Sequence, residues 1–271
     1  HLDYFKTFDN IKNAFIKYVK LLPNDGLLIL NGDDSNCLDL QSHTTAKTIT
    51  YGITNKKTNF FAVNIVFDND GFAEFDVYHN DEFFDRIKLS VPGMHNVLNA
   101  LACIAVCTEY GIDKSSIKLA LSKFTGAHRR FEFKGKIANK ASVYDDYGHH
   151  PTEIIATAKS LMNKKYNKSW VVFQPHTYTR TKALLPEFAK ALSLADHVVV
   201  ADIYAARETD TLGISSEDLQ KRIQELGTPC EYFPTFDEIE NYLLANCQEG
   251  DLLITMGAGD VVNIGEHLLG K

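Results

Sequence analysis

Residues 141–153, with the sequence ASVYDDYGHHPTE, concentrate side chains that could do chemistry. Two carboxylates, Asp145 and Asp146, are followed by a tyrosine and two adjacent histidines. An apolar run precedes the carboxylates, and Pro151 follows the histidines, where a proline suits the first turn of a helix. We therefore predict a strand-to-helix turn, the place where open α/β sheets bind ligands. The alternative is a solvated loop in which these polar groups only cap the helix.

The second half of the chain shows the alternation of strands and helices that is typical of a parallel sheet covered on both faces. We predict a doubly wound domain in which strands and helices alternate from Phe133 onward, with Ser215 and Asp218 forming a capping box for its third helix. The predicted strands are 136–144, 170–174, 197–203, 230–233 and 251–256, and the predicted helices are 151–161, 181–194, 217–226, 237–247 and 261–269.

Further polar loops follow other predicted strands of this domain. The segment QPHTYTRT presents His176 and Arg180 before a helix, and a later loop presents Arg207. A glycine-rich turn, residues 256–260, precedes the last helix, but it lacks the G-K-[ST] ending of a phosphate loop. Because parallel strands share their carboxyl edge, these loops are expected to meet at one edge, which would suit a carboxylate or phosphate substrate.

The pattern of the first half predicts a separate unit of helices and short strands. Helices are expected at 9–22, 92–110 and 115–124, a short buried strand at 27–30, and an antiparallel extension at 47–51, 60–67, 71–78 and 85–91. The acidic segment 31–34 could bind a cation, but N-G-D is a common turn signature, which we favour. Asn96 and Asn99 lie three apart at a helix start, so their amides share a face and could recognise a planar heterocycle, although helix capping would use one of them.

Composition places the chain among globular proteins with two domains. The net charge of −7 and the pI near 5.8 argue against nucleic acid or an anionic membrane surface as the main partner. The five cysteines contain no C-x-x-C pair, and Cys103 and Cys107, four apart on a predicted helix, are expected to pack in the core. This use of cysteine, with no signal peptide or membrane-spanning run, predicts a protein of the reducing cytoplasm.

The segments HNVLNA, GAHRRFE, DDYGHHPTE and QPHTYTRT together resemble the Mur ligases, and the resemblance extends over essentially the whole chain. It implies that residues 1–126 are the C-terminal part of the family's central ATP-binding domain and that residues 127–271 are its Rossmann-like C-terminal domain. It also implies that the phosphate loop and the domain that binds the uridine nucleotide precede this sequence, so the chain alone is expected to be inactive.

The resemblance implies ATP-dependent amide formation in peptidoglycan biosynthesis, through an acyl phosphate, with ATP and Mg²⁺ as cofactors. The QPHTYTRT segment is similar to that of the alanine-adding branch, which joins L-alanine to UDP-N-acetylmuramate. Some members of that branch carry Arg at the position of Thr177. The alternatives are a murein peptide ligase or a folylpolyglutamate-type ligase, a binding module without catalysis, and an unrelated hydrolase that holds a metal on the histidine pair.

The resemblance also implies roles for individual residues. Together with the polar loops at the predicted sheet edge, it leads us to expect recognition of ATP by five residues and binding of the substrate by six, with a catalytic role for three of these. The resemblance assigns Mg²⁺ binding to His1. The expected ATP-binding residues are His95, Asn96, Asn99, Arg130 and Asp146; the expected substrate-binding residues are Tyr147, His149, His150, His176, Arg180 and Arg207; the expected catalytic residues are Asp146, His149 and Arg180.

Overall fold

The computed structural model describes residues 2–138, 141–161 and 164–271. They form two compact units that divide between Thr125 and Gly126, close to the predicted boundary. Among these residues, no helix is long and apolar enough to cross a membrane.

The first unit combines one five-stranded sheet with helices. Its helices are α1 (Leu2–Phe5), α2 (Phe8–Val19), α3 (Ser35–Asp39), α4 (Met94–Glu109) and α5 (Lys114–Lys123), with a 3-10 helix at Leu40–His43. Its strands are β1 (Leu27–Asn31), β2 (Lys47–Gly52), β3 (Phe60–Phe67), β4 (Phe72–His79) and β5 (Glu82–Pro92), in the order β1-β2-β3-β4-β5.

The sheet of the first unit changes from parallel to antiparallel along its width. Strand β2 pairs in parallel with both β1 and β3, whereas β3, β4 and β5 pair antiparallel. The prediction that all strands from residue 46 to 91 form an antiparallel extension was therefore wrong for β2. The predicted turn at residues 31–34 is confirmed: Asp33 accepts hydrogen bonds from the backbone N–H groups of Ile53, Thr54 and Asn55. Helix α3 begins directly after it and was not predicted.

Helix α4 carries the predicted amide pair, Asn96 and Asn99. Its buried residues Val97, Leu101 and Ile104 recur every three or four positions, the period of a helix that buries one face. They pack on the sheet against the fully buried Phe75 and Ile87. Gly93 precedes the helix at φ 97°, a conformation that favours glycine.

The second unit is built on a six-stranded sheet. Its strands are β6 (Glu132–Lys136), β7 (Ser142–Asp146), β8 (Ser169–Phe173), β9 (His197–Val200), β10 (Cys230–Tyr232) and β11 (Leu252–Met256), in the order β10-β9-β8-β11-β7-β6. Its helices are α6 (Pro151–Leu161), α7 (Tyr178–Ala183), α8 (Leu185–Leu192), α9 (Ser216–Glu225), α10 (Phe236–Asn246) and α11 (Val262–Leu268). All strands are parallel except β6, which pairs antiparallel with β7.

Helices cover both faces of this sheet, which confirms the doubly wound prediction. Residues of α6, α8 and α9 form one apolar cluster with one face of the sheet, and residues of α10 and α11 form another with the opposite face. The capping box at Ser215 and Asp218 is present as predicted. The strands β7, β8, β9 and β11 therefore end at one common edge, called the carboxyl edge below.

Two predicted elements of the second unit were wrong. The strand predicted at 136–144 is an antiparallel hairpin of β6 and β7, which closes with a hydrogen bond from the Ile137 N–H to the Ala141 carbonyl. The helix predicted at 181–194 is divided into α7 and α8 at Leu184, which leaves helical geometry at φ −119° and ψ 21°. Pro186 follows in the first turn of α8, the position in a helix that tolerates a residue without an N–H.

Candidate functional site at the carboxyl edge

Asp145, one of the two carboxylates that end β7, is fully buried and paired with Arg129. The Arg129 Nε donates to Asp145 Oδ2 at 2.8 Å, and the Thr255 hydroxyl donates to Asp145 Oδ1 at 2.8 Å. The other two nitrogens of the guanidinium donate to the carbonyl oxygens of Gly259 and Gly257 at 3.1 and 2.8 Å. Arg129 therefore joins β7 to the turn that follows β11.

Asp146 organises the turn between β7 and α6. It is 6% exposed, and its carboxylate accepts from the Gly148 N–H at 2.7 Å, the Phe131 N–H at 3.0 Å and the Thr157 hydroxyl at 3.0 Å. Burial raises the pKa of Asp146, although these hydrogen bonds act in the opposite direction. The predicted contact of Asp146 with nucleotide stays a prediction, since the described contacts of its carboxylate are those that hold the turn.

Four aromatic rings, Tyr147, His149, His176 and Tyr204, form a continuous row along the carboxyl edge, called the aromatic row below. Successive ring centroids are 5.4, 5.7 and 5.6 Å apart. The rings come from the loops after β7, β8 and β9, so the row brings three of the predicted loops together. The predicted residues Tyr147, His149 and His176 are thus neighbours.

The two adjacent histidines have different hydrogen-bond partners. His149 Nδ1 lies 3.0 Å from the Tyr147 carbonyl oxygen, an acceptor, so this contact requires a proton on Nδ1. His150 Nδ1 instead accepts from the Thr152 N–H at 3.3 Å, which places the proton of neutral His150 on Nε2. Burial, with the charge of Arg180 acting in the same direction, lowers the pKa of His150 and favours its neutral form.

Arg180 is 7% exposed and lies in the first turn of α7. The helix is capped by Thr177, whose hydroxyl accepts from the Arg180 N–H at 3.4 Å. Thr177 has φ 66°, a left-handed conformation that is unfavourable for a β-branched residue. The chain therefore keeps a strained backbone where it positions Arg180, which is common at functional sites.

The other two predicted cationic residues lie in the exposed part of the edge. Arg130 places its guanidinium 5.8 Å from the centre of the Tyr147 ring and 3.7 Å from a Glu153 carboxylate oxygen. Arg207 lies in an exposed turn after β9, next to Ala206 at φ 53°. The twin arginines thus differ, since Arg129 is half-buried and bonded to backbone carbonyls while Arg130 faces solvent.

The glycine-rich turn after β11 permits close packing under the aromatic row. A Cβ on Gly259 would lie 2.3 Å from Gln174 Oε1 and 2.9 Å from the ring of Tyr204. Gln174 also donates from its Nε2 to Asp260 Oδ1 at 2.7 Å. Glycine at 259 is therefore needed to let the loops after β8, β9 and β11 approach each other.

The sequence-based prediction missed three residues of this edge: Arg129, Glu153 and Tyr204. Glu153 accepts from the His149 N–H at 2.9 Å, and its position four residues after His149 near a helix start was a usable signal. The prediction assigned a ligand role to Arg130, the second of the twin arginines, and gave Arg129 none. Tyr204 gave no local signal, because its contact with His176 comes from the pairing of two loops.

The predicted amide pair lies in the first unit, where Asn96 and Asn99 line one cavity of about 520 Å³. Asn99 Nδ2 donates to Asn96 Oδ1 at 3.1 Å, which confirms that the two amides share a helical face. Asn96 Nδ2 donates to the Pro92 carbonyl at 2.8 Å, while Gly93 occupies the N-cap. His95 is exposed beside them.

The Mg²⁺ ligand predicted from the resemblance, His1, lies outside the described residues. Within 2–138, 141–161 and 164–271, no group of three or more His, Cys, Asp or Glu side chains could hold a metal ion. The ligand set for Mg²⁺ therefore stays a prediction.

Comparisons with known proteins agree with both units. The model of the Mur ligase middle domain matches residues 1–107, and that of the Mur ligase glutamate ligase domain matches residues 129–259. A curated UDP-N-acetylmuramate–L-alanine ligase from Lachnospira eligens is 51% identical over 269 residues, which is 99% of this chain and 58% of that protein. The corresponding protein from Acetivibrio thermocellus is 48% identical over 269 residues, 99% of this chain and 57% of its own length.

A solved structure shows the same architecture. The crystal structure of UDP-N-acetylmuramate-alanine ligase from Thermotoga maritima matches with a TM-score of 0.79 and 26% identity, over 100% of this chain and 56% of that chain. The chain thus spans a little over half the length of the relatives it matches.

Proposed function

Because the chain belongs to the Mur ligase family, we propose that it is part of a UDP-N-acetylmuramate–L-alanine ligase. In this reaction the muramate carboxylate attacks the γ-phosphorus of ATP, which gives an acyl phosphate and ADP. The amine of L-alanine then attacks the acyl carbon, and phosphate leaves as the amide bond forms. The observation that carries the proposal is the aromatic row with Arg130 and Arg180 at the carboxyl edge, in a chain 51% identical to a curated ligase of this name.

Arg180 is the group we assign to the substrate carboxylate and to its phosphorylated form. Negative charge builds on phosphoryl oxygens in the first step and on the tetrahedral carbon's oxygen in the second. A guanidinium offers a planar fork of N–H donors that matches carboxylate and phosphate oxygens. Its burial in α7, at 7% exposure, holds that fork in one place and strengthens its interaction with an anion.

His149 is the group we assign to the proton of the alanine ammonium, which must be lost before the amine can attack. The carbonyl oxygen of Tyr147 selects the tautomer with the proton on Nδ1, so Nε2 carries the lone pair that would accept a proton. His150 has the complementary tautomer, with the proton on Nε2, and we propose that it donates to a substrate oxygen. His176 and Tyr147, the neighbours of His149 in the row, would position the acceptor.

Recognition of ATP is assigned separately in the two units. In the first unit, His95 and the amides of Asn96 and Asn99 offer paired donors and acceptors of the kind that adenine requires. In the second unit, the exposed guanidinium of Arg130 suits the phosphates, and Arg207 is placed to meet an anionic substrate at the same edge. Asp146 would act near the nucleotide while it holds the turn that carries His149.

The test is substrate-dependent release of ADP by a full-length protein that contains this sequence. With Mg²⁺-ATP, UDP-N-acetylmuramate and L-alanine together, we expect turnover of about 1 per second or more. Omission of either L-alanine or UDP-N-acetylmuramate should reduce the rate of ADP release to background. Equal turnover when L-alanine is replaced by a murein peptide would favour the peptide-ligase alternative, and no turnover with either amine would favour a binding module.

A further inference from the structure

Helix α4 carries two thiols on the wall of the cavity described above. Cys103 and Cys107 both line it, and their sulfurs are 4.0 Å apart. Cys103, which was predicted to pack in the core, is in fact exposed, and Cys107 is half-buried against the core. With Asn96 and Asn99 they form one stripe along the helix, at spacings of three or four residues.

The remainder of the cavity wall is mostly hydrocarbon. Leu89 and Val91 come from β5, Ile117 and Leu121 come from α5, and Phe124 directly follows α5. A volume of about 520 Å³ lies within the range of about 300–1,000 Å³ that is usual for small-molecule sites. The cavity thus combines an apolar space with a pair of sulfur ligands on one side.

Helix geometry opposes a disulfide between these thiols but permits a bridge through one atom. Residues four apart on a helix have Cβ atoms about 5–6 Å apart, whereas a disulfide needs about 3.5–4.5 Å. An atom with bonds to sulfur of about 2.3 Å can bridge two sulfurs that are less than about 4.6 Å apart, and the separation of 4.0 Å seen here lies within that reach. A structural zinc ion would need further protein ligands, and the described residues provide no group of three or more.

We propose that Cys103, Cys107 and the adjoining cavity form a site for an apolar compound with a thiophilic centre that takes two sulfur ligands, of which an aryl arsenic(III) compound is the representative. Such a centre needs two sulfurs from the protein because its third bond is already made to carbon. With an aryl arsenic oxide, two As–S bonds replace the bonds from arsenic to oxygen, and both thiol protons leave with that oxygen as water. Arsenic stays trivalent, and the aryl group occupies the apolar space beside α5.

The site has a consequence that rests on the proposed function. Because Asn96 and Asn99 share the wall with the thiols, the bound compound would lie beside the amides assigned to adenine. In the full-length protein, the adduct should raise KM for ATP. If the adduct forms on both thiols and KM for ATP is unchanged, the adenine assignment of the amides is wrong while the thiol site stands.

The test of the site uses phenylarsine oxide, intact-mass measurement and peptide mapping on the full-length protein that contains this sequence. We expect one adduct that maps to residues 103–107, resists excess glutathione and is removed by a dithiol. Cys103→Ser and Cys107→Ser should each abolish the glutathione-resistant adduct, whereas Cys37→Ser, at a cysteine outside the cavity, should retain it. An adduct that persists in both single variants, or that glutathione removes from the parent, would overturn the proposal.

A second variant tests the cavity without touching the thiols. Ala120 lines the cavity at an exposed position of α5, so Ala120→Trp should fill the space with little effect on folding. In this variant, about tenfold less competing dithiol than in the parent should remove half of the phenyl adduct. The reason is that the phenyl ring would no longer be buried, and burial of one aromatic ring strengthens binding by about that factor. The adduct of a methylarsenic(III) compound should be unaffected. Equal sensitivity of both adducts to Ala120→Trp would show that the aryl group does not enter the cavity.

Discussion

Arg129 and Asp145 form an ion pair whose guanidinium is only 15% exposed and whose carboxylate is fully buried. The same guanidinium donates to two backbone carbonyls after β11, which are 128 and 130 residues further along the chain. The pair therefore connects the beginning of the second unit to the turn near its end. Removal of one partner would leave a buried charge uncompensated, which costs far more than an exposed pair contributes. The pair is therefore a structural centre beneath the site.

The first prediction compares the twin arginines. Arg129→Ala should destabilise the second unit by about 3–5 kcal/mol because Asp145 loses its counter-charge. Arg130→Ala should change stability by no more than about 0.5 kcal/mol, since its side chain is exposed. Thermal and denaturant unfolding of the two variants measure the difference. Similar losses in both would contradict the distinction between a structural and a ligand-facing arginine.

The second prediction concerns the amide pair of α4. In the full-length protein, Asn96→Ala should raise KM for ATP more than KM for L-alanine, because unpaired polar groups on adenine cost about 1–3 kcal/mol. Asn99→Ala, on the same face of the helix, should raise KM for ATP as well. An unchanged KM for ATP, with a lowered melting temperature, would reassign Asn96 to the helix start, where its amide bonds to the Pro92 carbonyl.

The third prediction is a pH dependence of stability from His197, which lies at the opposite end of β9 from the candidate site. Its ring stacks on Trp170 at 4.2 Å and contacts Lys168, Glu231 and Tyr242. Burial lowers the pKa of His197 in the folded protein, although Glu231 acts in the opposite direction. The unfolded chain therefore binds this proton more readily, so the contribution to stability is full above about pH 6.5 and is lost as the pH falls.

Melting of the parent and His197→Gln between pH 7.5 and 5.5 checks this sign. The variant should lose less stability on acidification than the parent does. His128→Gln, at an exposed histidine of the same unit, serves as the control for a general effect of histidine removal. A parent whose melting temperature rises on acidification would contradict the predicted direction.

The carboxyl edge could be predicted from sequence because its signals are local. Alternating apolar runs imply parallel strands, and parallel strands bring the loops after β7 and β8 to one edge. The hairpin of β6 and β7 was missed because two short apolar runs joined by a turn have the same pattern as one longer strand. The division of α7 from α8 was missed although Pro186 marked it.

Other features depend on contacts between residues far apart in sequence. The role of Arg129 depends on carbonyl groups of residues 257 and 259, which no pattern near Arg129 indicates. Tyr204 joins the aromatic row only because its backbone pairs with that of His176. The cavity in the first unit arises from the spacing of α4, α5 and β5, and that spacing is set by packing and not by the period of any one segment.

The central claim is that Arg180, held in α7 at the carboxyl edge, binds the substrate carboxylate and its phosphorylated form. Arg180→Lys keeps the charge but loses the planar fork of donors. It should therefore lose about one charge-assisted hydrogen bond to the substrate, which contributes about 1.5–3 kcal/mol. Arg222→Lys, at an exposed arginine of α9, is the matched control and should be nearly silent.

Steady-state kinetics of the full-length protein give the decisive measurement. We predict that Arg180→Lys lowers kcat/KM by about tenfold or more while the melting temperature stays near that of the parent. A kcat/KM equal to that of Arg222→Lys, or a loss explained entirely by a lowered melting temperature, would contradict the claim.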